Sequence, residues 1–243
     1  MNLNRASQLC SALLLTVFLS AGSVDAALTI GAGSQFTWDG ISGPPLAKPP
    51  VPGTNVVPDN IALASRGGTS FAIDSGHMPT HNIPNLNNGR YGNSDSWIGV
   101  TERDINVGGG TIVTSTFAGI DFAGSGLQTI TSFAFGRSNI EAEFADRHLG
   151  TYYVQLAGIA NPGVNTPDDD WRTIGSISIL GDPDEHRHHF TLDAPDQAYG
   201  IRIVTPGAGT AIDEIEVFPV PEPAAALLGL SSLLCLVLLR RRK

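Results

Sequence analysis

Short β-prone runs separated by turn residues fill the second half of the chain and constrain its fold more than any other feature. Each run is rich in β-branched and aromatic residues and is bounded by Gly, Asn, Asp or Pro. The runs cover 111–117, 129–135, 151–156, 173–180, 188–192, 199–204 and 212–218. No stretch among them carries a sustained helical stripe with caps. The pattern predicts an all-β fold, either a β-sandwich or a jelly roll.

The N-terminus has the three parts of a secretory signal. Arg5 supplies a positive charge, residues 9–19 form an apolar run, and 24–26 end in small residues at the positions that a signal peptidase reads. We therefore predict a signal helix over 1–26 with cleavage before Ala27. The alternative is an N-terminal membrane anchor, for which the apolar run is short.

The C-terminus predicts a transmembrane helix. Residues 224–239 carry no charge, and 240–243 read Arg-Arg-Arg-Lys. A helix of this length spans about 24 Å, somewhat less than a bilayer core, and arginine side chains can snorkel to the interface. The basic cluster should stay cytoplasmic, which places the body of the protein outside the inner membrane.

Pro221, Glu222 and Pro223 stand immediately before this apolar segment. The order Pro-Glu-Pro, apolar helix, basic terminus resembles the PEP-CTERM sorting signal of Gram-negative bacteria that make extracellular polysaccharide. The resemblance implies that an exosortase, a membrane-embedded sorting protease, reads these three residues. It also implies a membrane anchor before processing and a cell-surface or matrix location afterwards. The alternative is an ordinary C-terminal anchor after a proline-containing linker.

Charge and cysteine content exclude several classes of function. Residues 27–218 hold nine Lys and Arg against twenty-one Asp and Glu, a net charge of −12. Such an acidic body disfavours nucleic acid and anionic lipid as main partners. Cys10 and Cys235 are the two cysteines, and they fall in the predicted signal and tail. A disulfide framework and a thiol nucleophile are therefore excluded for the exported part.

Composition also predicts where the domain begins. Residues 43–58 are rich in Pro and Gly and should be extended rather than part of a ladder or helix. We therefore predict a linker over 27–58, a single domain over 59–218, and the sorting tail over 220–243.

Several motifs inside 59–218 occur in an order typical of one family. The residue groups that carry the likeness are 60–64, 85–99, 120–122, 130–137, 146–152, 171–175, 199–203 and 212–217. In this order the chain resembles a discoidin domain, the coagulation-factor type C module. The resemblance implies a galactose-binding-like jelly roll that binds glycans, lipids or proteins through loops at one end and performs no catalysis.

The same resemblance implies a structural calcium ion. Its ligands would be Asn88 at the turn position, a hydroxyl from Ser94 or Ser96, and the carboxylate of Glu214. The family has Asp where this chain has Asn88, so one ligand charge is missing. The alternative is a plain Asn-Gly turn with a solvated Glu214.

The long irregular stretch 75–96 supplies the candidate binding residues. His77, His81 and Tyr91 are predicted to line a ligand-binding mouth, with Tyr91 stacking on a sugar. Trp97 and Trp171 are predicted to be core residues, because the resemblance places both in walls of the sandwich and large aromatics are mostly buried.

Two charged segments suggest chemistry but favour structural interpretations. The run 186–189 reads His-Arg-His-His, and imidazoles are common metal ligands. Side chains alternate in an extended segment, so His186 and His188 share a face while His189 points away, and no further ligand is evident. We predict a solvated hairpin that enters a strand there, and a charged loop at 168–170.

These observations predict an exported, non-enzymatic protein whose domain binds extracellular polysaccharide non-covalently. The first alternative is a structural matrix or surface protein that binds another protein. A metal-dependent hydrolase built on His186 is the weakest alternative, because no complete catalytic set is evident.

Overall fold

The structure is a computed structural model that describes residues 28–41, 59–77, 79–122, 126–138, 145–180 and 185–220. It is built from β-strands and short 3₁₀ turns, with no α-helix in these ranges. The strands are β1 Leu28–Ile30, β2 Phe36–Ile41, β3 Thr69–Ala72, β4 Trp97–Ile98, β5 Arg103–Asn106, β6 Ile112–Ser115, β7 Phe117–Asp121, β8 Gln128–Ser138, β9 Gly150–Ala157, β10 Trp171–Ile179, β11 Glu185–Ala198, β12 Gly200–Val204, β13 Ala211–Ile212 and β14 Glu214–Pro219. The all-β prediction is confirmed, and each predicted run overlaps at least one strand.

Two antiparallel sheets form the sandwich. The larger sheet has the order β1-β10-β9-β12-β7-β3, and the smaller has the order β14-β8-β11-β2. Two short pairs, β13-β4 and β5-β6, lie outside these sheets. Non-consecutive neighbours such as β9 and β12 mean that the chain repeatedly crosses from one sheet to the other, as expected for a sandwich of this type.

The main core fills the space between the two sheets. Alternate positions of each strand point inward, which is why the sequence shows period-two patterns there. Phe133 and Phe190 stack with ring centroids 5.0 Å apart, and Phe36 meets Phe133 edge-on at 5.2 Å. Aromatic pairs of this kind add about 0.5–1.5 kcal/mol to the free energy gained from burial alone.

A second apolar cluster lies on the outer side of the larger sheet. Ile105 and Val107, which belong to and follow β5, are buried against Phe117 and Trp171. The β5-β6 hairpin thus covers this part of the sheet, which explains why every residue of β7 is buried. The prediction that Trp97 and Trp171 are core residues is confirmed, because they are 0% and 5% exposed.

The N-terminal segment corrects the predicted domain boundary. β1 pairs with β10 at one edge of the larger sheet, and β2 pairs with β11 at one edge of the smaller sheet. The sandwich therefore includes residues 28–41, which precede the predicted start at Asp59. Proline enrichment misled the prediction because it is confined to 44–58, and the strands precede it. Residues 42–58 lie outside the described ranges.

The sandwich has two distinct ends. The upper end holds the close of β8, the start of β9 and the connection between β12 and β14; the lower end holds the connections from β7 to β8 and from β11 to β12. The chain leaves at the lower end, where Val220 donates its backbone N–H to the carbonyl of Thr129. Among the described residues no helix is long and apolar enough to cross a membrane. The predicted signal, Pro221–Pro223 motif and C-terminal helix lie outside those residues.

Candidate functional site

A group of basic side chains meets at the upper end of the sandwich. His77 and His81 come from the irregular segment between β3 and β4, Arg137 comes from the end of β8, and Arg147 from a 3₁₀ turn at Ala145–His148. His77 is exposed, His81 and Arg147 are half-buried, and Arg137 is buried. We call these four residues the upper-end basic cluster. Its two arginines place positive charge at one end of an otherwise acidic chain.

His81 is the most constrained member of this cluster. Its Nδ1 lies 2.8 Å from the hydroxyl oxygen of Ser96. Burial lowers the pKa of His81; a hydrogen bond with the backbone of Ser96 opposes this, while the charges of Arg147, His77 and Arg137 lower the pKa further. His81 is therefore neutral at neutral pH and retains one ring nitrogen that can accept a hydrogen bond or donate one.

The loop that carries His77 is pinned by one carboxylate. Asp74 accepts backbone N–H groups from Gly76 at 2.8 Å, Val100 at 3.0 Å and Thr101 at 2.6 Å. The backbone N–H of His77 also donates to the carbonyl of Ile98 at 3.0 Å. These bonds hold an irregular segment in one conformation without regular secondary structure, so the position of His77 is preorganised.

Tyr91 does not line the mouth, which corrects the prediction. It is 3% exposed, and its hydroxyl donates to Oε1 of Glu216 at 2.7 Å. Burial raises the pKa of Tyr91 well above its ordinary value, and the negative charge of Glu216 adds to the effect. A ring buried in this way has no free face for a sugar. Polarity of the surrounding loop suggested exposure, but the buried acceptor on β14 could not be seen from the sequence.

Asn88 and Glu214 lie together, as the predicted calcium site requires. Gly89 has φ +78°, so Asn88-Gly89 forms a tight turn that favours glycine, and the N–H of Gly89 donates to Oε2 of Glu214 at 3.0 Å. Glu214 is fully buried rather than solvated, and its Oε1 has no hydrogen-bond partner. The side-chain oxygen of Asn88 is also buried and unpartnered. Two unsatisfied oxygens at one turn suit a hard cation.

The two serines proposed for this site are placed differently. Ser96 is buried, and its hydroxyl faces His81. Ser94 is exposed. Burial raises the pKa of Glu214 well above its ordinary value, with Glu216 as the next cause, so the site carries an excess of buried acid. Within the described residues no three His, Cys, Asp or Glu side chains form a metal-binding group, so a cation here would need backbone carbonyl oxygens as well.

The strand predicted at 188–192 is present, but the hairpin predicted to lead into it is not solvated at Arg187 and His188. Glu185–Ala198 forms β11, and Arg187 and His188 are 7% and 0% exposed. The predicted alternation holds for His188 and His189. His188 stacks on His148 in the interior with ring centroids 5.4 Å apart, while His189 bonds Asp39 on the outer face. His188 is buried between the two sheets, whereas Arg187 is buried on the opposite face of β11 by its contacts with Glu216 and Phe218.

The predicted charged loop at 168–170 is anchored by its first carboxylate. Asp168 Oδ1 accepts from Arg103 at 3.1 Å and from Arg202 at 2.9 Å, and Oδ2 accepts the backbone N–H of Asn106 at 3.0 Å. Asp169 is exposed, in keeping with a charged surface loop.

Comparisons with known proteins give fold-level similarities only. No protein-family model matches the chain, and no curated protein matches it. A fucolectin from striped bass (Morone saxatilis) serum is 16% identical, covers 66% of this chain and 48% of its own length, and has a TM-score of 0.47. A fucose-binding module from Streptococcus pneumoniae is 13% identical and covers 67% of this chain and 98% of its own, with a TM-score of 0.44. A family 32 carbohydrate-binding module from Streptococcus pneumoniae EndoD is 16% identical and covers 66% and 99%, with a TM-score of 0.41.

Proposed function

We propose that this chain is an exported, discoidin-like module that binds extracellular carbohydrate non-covalently at the upper-end basic cluster. One observation carries the proposal: three separate segments bring His77, His81, Arg137 and Arg147 to one end of a rigid sandwich. Loops positioned by a rigid scaffold are where binding residues concentrate. Two of these residues, His77 and His81, were predicted from the sequence, whereas the two arginines were not.

The chemistry of the cluster suits a neutral or weakly acidic glycan. Half-buried Arg147 presents several N–H donors in a fixed geometry, whereas buried Arg137 contributes its charge, and neutral His81 can accept from a sugar hydroxyl. A shallow depression beside Arg147, bounded by Leu149 and 206–210, gives an extended ligand room to continue. Strongly acidic polymers are disfavoured because the chain as a whole carries a net charge of −9.

The two ends of the sandwich suggest how the module is presented. Val220 leaves at the lower end, and the Pro221-Glu222-Pro223 tail follows it. We propose that an exosortase-type protease reads this tail while its helix sits in the inner membrane. A domain held by its C-terminus then points the basic cluster away from the membrane, toward matrix polysaccharide. Intact mass measurement of the surface protein tests this, since a chain ending at Lys243 would mean a permanent anchor.

Loss of two donors should weaken glycan binding. We expect the double variant Arg147→Ala, His77→Ala to lose at least tenfold in affinity on a glycan array with neutral and uronic-acid-containing glycans, because a hydrogen bond from a charged group such as Arg147 contributes about 1.5–3 kcal/mol. Arg66→Ala is the matched control, because Arg66 is an exposed arginine near the lower end, paired with Asp59 at 3.9 Å.

The result for Arg66→Ala should equal that of the unaltered chain. Equal binding by all three proteins would place the ligand elsewhere. Absence of binding to every glycan would instead favour a structural matrix protein whose sandwich contacts another protein.

Calcium should stabilise the module through Asn88 and Glu214. At a concentration about 100 times its dissociation constant, an ion that binds only the native state adds about 2.7 kcal/mol. For a domain of this size that corresponds to a rise in Tm of about 5–10 °C. Calorimetry with and without calcium measures it, and Glu214→Gln should remove the rise while Asp193→Asn, at an exposed site, should keep it. An unchanged Tm at millimolar calcium would contradict the site.

A further inference from the structure

Three side chains on the outer face of the smaller sheet form a continuous hydrogen-bonded relay. His189 Nδ1 lies 2.7 Å from Oδ2 of Asp39, and His189 Nε2 lies 3.2 Å from the hydroxyl oxygen of Ser132. A hydroxyl in reach of an imidazole, which is itself oriented by a carboxylate, is the arrangement that activates a serine nucleophile. Neither glycan binding nor calcium binding uses these residues.

Strand register explains why the three meet. β11 lies between β8 and β2 in the smaller sheet. Ser132 pairs with Thr191, two residues along β11 from His189, so Ser132 and His189 are diagonal neighbours on one face. Asp39 reaches His189 from the other side, because β2 is the edge strand next to β11. The imidazole therefore bridges its two neighbouring strands.

Two further contacts fix the relay in this orientation. The hydroxyl of Thr191 donates to Asp39 Oδ2 at 2.6 Å, so the carboxylate that faces His189 is itself held. The ring of Phe218 packs against the imidazole, with centroids 5.7 Å apart. His189 and Asp39 are part-exposed, with side chains 24% and 39% accessible, whereas Ser132 is 8% exposed, so solvent reaches the relay mainly through its imidazole and carboxylate.

We propose that Ser132 is an activated nucleophile toward acyl esters with good leaving groups. Ser132 Oγ attacks the ester carbonyl carbon as His189 Nε2 takes the hydroxyl proton, and Asp39 stabilises the imidazolium that forms. The C–O bond to the leaving group then breaks, and His189 returns the proton to the departing alcohol or phenol. Water releases the acyl group from Ser132 as a carboxylic acid by the same route.

The surroundings of Ser132 set the class of ester. Its backbone is paired on both sides, with Thr191 on β11 and with Phe218 on β14. Strand N–H groups engaged in this way leave no ready oxyanion hole, and one such donor is worth about 10²–10³ in rate. The reaction is therefore confined to phenolic and similarly activated esters with a small acyl group that fits an open sheet face, and amides are excluded.

A fluorophosphonate probe tests the proposal on the full chain. The Ser132 oxygen should displace fluoride from phosphorus, and mass spectrometry of peptides should find Ser132 labelled at least ten times faster than Ser178. Ser178 is an internal comparator on β10, since its hydroxyl pairs with Thr151 at 2.9 Å rather than with an imidazole. Ester turnover is followed separately as phenol released from a phenyl acetate.

Variants separate activation from packing. His189→Gln and Asp39→Asn should each slow labelling of Ser132 at least tenfold, whereas Thr37→Val, an exposed change on the same edge strand, should leave the rate unchanged. Equal labelling of Ser132 and Ser178, or full labelling in His189→Gln, would overturn the proposal. If His189→Gln does not fold, the Ser132 to Ser178 ratio in the unaltered chain and the rate in Asp39→Asn decide.

Discussion

Replacing Glu216 by glutamine should lower the free energy of unfolding by about 3–5 kcal/mol, because it leaves a buried arginine without its counter-ion. Glu216 is fully buried on β14 and forms a two-pronged pair with Arg187, with Nε to Oε1 and Nη2 to Oε2 both at 2.6 Å. Tyr91 donates to the same Oε1. Burial lowers the pKa of Arg187, but the hydrogen bonds to Glu216 and its charge raise it overall, so the guanidinium stays charged.

Chemical denaturation of the variant and two controls measures the effect. Asp59→Asn removes the exposed pair with Arg66 and should change stability by less than about 1 kcal/mol. A second variant, Glu216→Leu with Arg187→Met, removes both charges and should cost less than Glu216→Gln alone, since a buried ion pair replaced as a unit is often nearly neutral. A cost for Glu216→Gln no larger than that of Asp59→Asn would show that Arg187 is rehydrated.

The strands could be predicted from the sequence because their signal is local. Ile177 and Ile179 alternate on inward positions of β10, and turn residues bracket each run, so period and turn signals agree there. Ile174 is out of phase with them and reaches the same core through the register shift between Thr173 and Gly175. The smaller sheet's inner face is equally regular around Phe133 and Phe190. The alternation and the turn residues that specify each strand lie within about ten consecutive residues.

The pairing of distant charges could not be predicted in this way. Glu216 and Arg187 are 29 residues apart, and Asp39 and His189 are 150 apart, so only the order β14-β8-β11-β2 of the smaller sheet brings each pair together. The polarity of a short segment predicts that its side chains are exposed to solvent. A partner that is distant in the sequence can nevertheless bury the same side chains. Tyr91 and the 186–189 run were both misassigned for this reason. Asp39 was overlooked because it preceded the proline-rich stretch and was placed in a linker.

The candidate site lies between these two cases. His77 and His81 were predicted because the irregular stretch that holds them is long for a compact domain. Arg137 and Arg147 come from the end of β8 and from a 3₁₀ turn far along the chain. Both lie in segments that resemble the discoidin family, but the resemblance did not mark them as binding residues. Both arginines lie at the upper end of the sandwich, beside the connection from β8 to β9. That position can be recognised only when the order of the strands in the sheets is known.

Asp168→Asn should lower the free energy of unfolding by about 3 kcal/mol, since it removes the carboxylate that neutralises buried Arg202 on the larger sheet. The Arg202 side chain is fully buried between the rings of Trp171 and Phe117, with its guanidinium carbon 4.6 and 4.9 Å from their centroids. Burial lowers the pKa of Arg202 to about 10, so the guanidinium is still charged at neutral pH and needs its partner. This loss is at the lower end of the range of about 3–5 kcal/mol for breaking a buried ion pair, because Asp168 keeps 18% of its side chain accessible.

The pH dependence of this effect separates lost charge from lost packing. Partial burial raises the pKa of Asp168, but the N–H of Asn106 and the pairs with Arg202 and Arg103 lower it overall. A carboxylate with a lowered pKa in the folded state adds stability above its ordinary pKa and loses that contribution as the pH falls through the folded value. The difference in unfolding free energy between the unaltered chain and Asp168→Asn should therefore be full at pH 7 and shrink below about pH 4.

Asp169→Asn, an exposed change in the same loop, should cost less than about 0.5 kcal/mol of unfolding free energy at either pH. A difference for Asp168→Asn that stays constant from pH 7 to pH 3 would assign the loss to hydrogen-bond geometry rather than to the uncompensated charge of Arg202.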